Sequence, residues 1–123
     1  MTLVSLPTEA TSGGSTSTTS VSSFDRVYLH RRELEAILNV YSKMVAKGQW
    51  RDYGIHFGKT AATFAIHRRT SEMPLYRVVK EPALAKKQGM WRISGANGQV
   101  LRRGHDLKQV LRYFDRMILK AVD

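Results

Sequence analysis

From Leu34 to Val45 the apolar side chains return every three or four residues: Leu34, Ile37, Leu38, Tyr41, Met44 and Val45. That spacing marks one face of an α-helix and predicts an amphipathic helix with a single apolar stripe. Gly48, just after Lys47, is the residue type that most easily takes the left-handed conformation ending many helices. The same period returns at Leu107, Val110, Leu111, Phe114, Met117 or Ile118, and Ala121, with Asp106 favourably placed for the positive end of the helix dipole. Leu38 and Leu111 lie at the centres of the two stripes. Each helix therefore needs a surface to lie against.

Between the helices the period shortens to two. Tyr53, Ile55 and Phe57 alternate with Gly54 and His56, and Gly58-Lys59 offers a turn. Phe64 and Ile66 alternate with Thr63, Ala65 and His67. Pro74 and Pro82 bracket a third strand over residues 75–80. Trp91 and Ile93 alternate with Met90, Arg92 and Ser94, and Asn97-Gly98 turns the chain into a fifth strand over residues 99–103. A short strand over residues 27–29 precedes the first helix in this reading. The order is (β)-α-β-β-β-β-β-α, an α+β fold in which two helices cover one face of an antiparallel sheet of about five strands.

The chain has 123 residues, enough for one hydrophobic core. Residues 11–23 are Ser, Thr and Gly with Val21 as the lone apolar side chain. Such a composition buries too little to offset its ordering entropy, so residues 1–23 are expected to be a disordered tail ahead of a single basic domain over residues 24–123. The tail lacks the basic and apolar blocks of a secretory signal, and no window approaches the ~18 apolar residues of a membrane span. The expected location is cytoplasmic. With no Cys, disulfides and thiol chemistry are excluded.

Charge sharpens this picture. Lys and Arg number 20 against 10 Asp and Glu, a net charge of +10, and the tail contributes none of the bases. A folded surface this basic suits polyanionic partners. If the large apolar side chains face the helices, alternation sends His56, His67, Arg69, Arg77 and Arg92 to the opposite, open side of the sheet. Lys86 and Lys87 in the connection after Pro82, and Arg102 and Arg103 at the end of the last hairpin, flank that side. Guanidinium forks match phosphate oxygens. Stacking platforms for bases are scarce, since Phe57, Phe64, Trp91 and Phe114 fall on apolar faces and Tyr76 is the one exception. Backbone recognition by charge is the expected mode.

No phosphate loop, nucleophile elbow, zincin helix or calcium loop occurs. His56 and His67 are placed to face each other across the first hairpin, but a metal site needs a third ligand and acids are sparse nearby. No metal, cofactor or catalytic residue is expected. Two surface imidazoles account for the pair.

Several separated motifs, in order, resemble a family of small alphaproteobacterial proteins catalogued as domain of unknown function 2794. They are Arg32-Glu33-Leu34 with Ile37-Leu38 and Tyr41, Trp50-Arg51-Asp52-Tyr53, Arg68-Arg69, Pro74-Leu75-Tyr76-Arg77, Lys87-Gln88-Gly89, and Arg103-Gly104-His105-Asp106-Leu107. The resemblance runs over residues 24–119. It implies a bacterial cytoplasmic protein and carries over no catalytic residues. The function expected from all of this is a non-enzymatic binding module for nucleic acid or a nucleoprotein complex. A protein-interaction adaptor docking an acidic partner surface comes second, and a small enzyme using the His56/His67 region third.

Overall fold

Helix α1 spans Arg31–Ala46. The Glu33 carboxylate accepts the backbone N–H of His30, the residue just before the helix, at 2.8 Å, so one of the unpaired donors at this end is satisfied. At the other end Gly48 has φ +74°, and Gly48 and Gln49 donate to the carbonyls of Val45 and Met44, each at 2.9 Å. This is the paired closure that glycine allows after a helix. The computed structural model describes residues 25–69 and 72–117. The Ser/Thr/Gly tail expected over residues 1–23 lies outside them.

Five strands follow: β1 Asp52–Phe57, β2 Ala62–His67, β3 Tyr76–Lys80, β4 Trp91–Gly95 and β5 Val100–Gly104. They pair in chain order as an antiparallel meander, β1-β2-β3-β4-β5. Residues 27–29 do not form the extra strand. They run extended, and Val27 makes one main-chain bond, to the carbonyl of Gly58 at 2.8 Å. Helix α2, Leu107–Leu111, starts at Asp106, whose carboxylate accepts from the Lys108 N–H at 3.1 Å. A 3-10 turn at Arg112–Phe114 interrupts the long helix expected here, and residues 115–117 are helical again. Ile118 and Ala121 of the expected stripe lie outside the described residues.

The register shows how alternation becomes a core. Phe64 pairs with Ile55 on one side and Val78 on the other, and Val78 pairs with Ile93. This row lies under the helices, and Phe64, Val78 and Ile93 have no exposed surface. From the helices come Ile37, Met44, Val110, Leu111 and Phe114. In α1 the deepest positions are Ile37 and Met44, while Leu38, the expected centre of the stripe, is half-buried. The stripe is turned by about one position, towards Ile37. Leu111 is buried as expected.

Trp50 leaves α1 through the Gly48 turn and lies between the layers. Its ring meets Phe114 edge-on at 4.9 Å and Tyr76 at 6.0 Å. Tyr76 therefore belongs to the aromatic core rather than to an open stacking platform, and its hydroxyl donates to Sδ of Met117 at 3.5 Å. Burial pushes its phenol pKa up. Gly89 has φ +107°, and a Cβ there would meet the carbonyl carbon and oxygen of Gly104 at 2.5 Å. The β3–β4 connection is pressed against the end of β5 at a point that admits no side chain.

One core position is ionic. Lys80 is 5% exposed, on the helix side of β3. Its ammonium donates to Glu33 and to the Tyr28 carbonyl, both at 2.9 Å, and lies 5.9 Å from the Trp91 ring centre. Among the described residues no helix is long and apolar enough to cross a membrane.

This packing sets the order of two mutational penalties. Ile37→Ala and Leu111→Ala should each cost about 2–5 kcal/mol in chemical denaturation, with Leu38→Ala costing clearly less. A Leu38 penalty larger than that of Ile37 would contradict the observed rotation of the stripe. Glu33→Ala should cost about 3–5 kcal/mol because it strands a buried ammonium. Lys80→Met should cost less, since Glu33 keeps the His30 N–H and partial access to water. The reverse order would show that the pair does not anchor α1.

Candidate polyanion interface

The face of the sheet turned away from α1 and α2 is built by the odd partners of the core rows. The register lines up His56, Thr63, Val79, Arg92 and Arg103 in one row. The next row holds Gly54, Ala65, Arg77, Ser94 and Val100. A third begins with Asp52 opposite His67. Among the described residues no helix covers this face. Val79 and Ser94 are nevertheless buried, while Arg77, Arg92 and Arg103 around them are half-buried. Long side chains lying along the sheet explain both facts: their stems cover the small residues beside them.

Arg77, Arg92 and Arg103 thus form a cationic patch on three adjacent strands. Arg92 and Arg103 are direct cross-strand partners, an unfavourable placement for two like charges. Glu81 relieves half of it through an ion pair with Arg92. Arg103 is different: its Nη1 is buried and has no hydrogen-bond partner among the described residues. A guanidinium nitrogen buried without a partner carries a desolvation cost.

The other expected contributors are placed as follows. His56 is exposed on the same face, and His67 is half-buried on it. They do not face each other. His56 pairs with Thr63 and His67 with Asp52, so they stand four positions apart along the hairpin, roughly 13 Å at the rise of a strand. His67 Nδ1 donates to the Glu72 carbonyl at 3.0 Å, which fixes the β2–β3 connection. Among the described residues no three His, Asp or Glu side chains gather as metal ligands. Lys86 and Lys87 are exposed in the β3–β4 connection, which His105 ties to α2 through a 3.0 Å bond from its Nδ1 to the Ala85 carbonyl.

Arg69 leaves the expected face, and Arg102, expected at its margin, turns to the other side. β2 ends at His67, so Arg69 lies in the connection beyond it, paired with Glu72 at 3.7 Å. Arg102 stands opposite Ile93, which assigns it to the helix side of the edge strand, where it is exposed. A register shift between Ile93 and Ser94 separates its parity from a simple count. The same shift brings Arg103, expected only at the margin, onto the open face itself. Arg51 and Arg68, which alternation did not single out, join Arg69 along a cleft beside Trp50. Their signal in the sequence is the bases just outside two strand ends, Arg51 before β1 and Arg68 after β2, which the hairpin brings together.

No curated protein and no solved structure matches the chain. A family model described as "Protein of unknown function (DUF2794)" matches residues 27–111, which take in α1, all five strands and α2. The chain belongs to the DUF2794 family.

Proposed function

We propose that this protein is a non-enzymatic module that binds nucleic acid through phosphate contacts on the open sheet face. The observation that carries the reading is the patch of Arg77, Arg92 and Arg103, three arginines on neighbouring strands, of which Arg92 is paired to Glu81. An anion between Arg92 and Arg103 would offset their mutual repulsion. Phosphate groups suit this geometry because two guanidinium forks can share their oxygens. The exposed Lys86 and Lys87 add positive charge in the β3–β4 connection. Base stacking has no part in the proposal, since Phe64, Trp50, Tyr76, Trp91 and Phe114 belong to the core between the sheet and the helices. Phosphate contacts position a ligand and carry little sequence information, so binding should be indifferent to sequence.

The test is fluorescence anisotropy on mixed-sequence duplex DNA and on RNA across a salt series. The wild type should bind at low salt with a log-linear loss of affinity as salt rises. Combining Arg77→Gln, Arg92→Gln and Arg103→Gln should weaken binding to every sequence alike. On B-form DNA it should flatten the salt slope by about 0.9 for each phosphate that is no longer neutralised. No wild-type binding at low salt would refute the reading and favour an acidic protein surface as the partner.

A further inference from the structure

A second group of arginines lies away from the sheet face. Arg51, Arg68 and Arg69 line a cleft of about 480 Å³ at the end of the sheet, against Val45, Gly48 and Trp50. Arg51 donates its backbone N–H to the His67 carbonyl at 2.9 Å, one step beyond the β1–β2 ladder. Arg51 and Arg68 therefore leave the hairpin side by side. A bend at residues 68–69 then lets the consecutive Arg68 and Arg69 line the same cleft. Among the described residues, Arg69 forms an ion pair with Glu72 at 3.7 Å.

Three guanidinium groups around one cleft repel each other. Capping the nearby end of α1 does not explain them. The carbonyls of Lys43, Met44 and Val45 are already taken by the N–H groups of Lys47, Gln49 and Gly48. Next to this cleft, and sharing Trp50 and Arg68 with it, is a second of about 400 Å³ whose walls include Met44, Leu75, Tyr76 and Met117. One side is cationic and the other apolar. Each cleft alone falls in the range of small-molecule sites, roughly 300–1,000 Å³, and exceeds what a bare phosphate needs.

We infer that the cleft formed by Arg51, Arg68 and Arg69 is an anion site for a phosphomonoester, with the organic body of the ligand lying along the adjoining wall of Trp50, Leu75 and Tyr76. The site is separate from the open sheet face and does not depend on its role. Two sources supply such a group: a free nucleotide, and the phosphorylated end of a nucleic-acid strand.

Isothermal titration of the full chain with adenosine monophosphate and with inorganic phosphate tests this. Adenosine monophosphate should bind at least tenfold more tightly than inorganic phosphate. Combining Arg51→Gln, Arg68→Gln and Arg69→Gln should weaken both at least tenfold, with the circular dichroism spectrum unchanged. Competition of a 5′-phosphorylated oligonucleotide, but not its 5′-hydroxyl form, with adenosine monophosphate would assign the strand end as the source; no competition would assign the free nucleotide. The inference is overturned if the wild type binds neither probe at millimolar concentration. Equal affinity for the two probes, or full affinity in the folded cleft variant, would overturn it as well.

Discussion

An ammonium group buried on the helix side of a β-sheet has to be neutralised where it sits, and α1 brings the carboxylate that does so. Lys80 and Glu33 meet at 2.9 Å, 47 residues apart in the chain, and the Tyr28 carbonyl takes a second proton of the same ammonium. Glu33 also holds the N–H of His30, so one carboxylate starts the helix and fastens it to β3. Desolvation makes such a pair costly to break and a modest source of net stability. Its consequence is directional. An α1 placed anywhere else would leave Lys80 uncompensated, so the helix layer is committed to the face that carries Phe64, Val78 and Ile93.

That commitment decides what the other face can be. With both helices on one side, the remaining side of the meander has no apolar row to bury, and Arg77, Arg92 and Arg103 stand on it with small residues between them. The open face and the buried ion pair are thus two results of one placement. Three basic residues just beyond the strand rows, Arg51, Arg68 and Arg69, meet at the end of the sheet, beside the Gly48 turn. Arginines thus gather at two places of different geometry: the open face with Arg77, Arg92 and Arg103, and the cleft with Arg51, Arg68 and Arg69.

Much of the fold was legible because the periods are unambiguous. Ile37 and Met44 announce a helix, Phe64 and Ile66 a half-buried strand, and Gly48 and Asp106 the ends of helices. Parity failed where a strand's length or regularity is set by its partner. Arg69 continues the alternation of β2 in sequence, but β2 stops at His67. Arg102 and Arg103 exchange sides because the β4–β5 ladder shifts register between Ile93 and Ser94. His56 and His67 share a face yet stand apart, because the hairpin register pairs His56 with Thr63. Lys80 carried a signal that charge masks: counting by twos from Tyr76 and Val78 sends it inward, but a lysine at a strand end reads as solvated until Glu33 is seen beside it.

The central claim, that the helix-free face is the one that meets nucleic acid, is tested most directly by nuclear magnetic resonance of the arginine side chains. The full chain would be titrated with a mixed-sequence DNA duplex at low salt, following the Nε–Hε resonances. Those of Arg77, Arg92 and Arg103 should shift together and saturate together, while the backbone amides of Ile37, Val110 and Leu111 stay in place. Shifts concentrated on the helix layer, with the three arginine signals unmoved, would contradict the account.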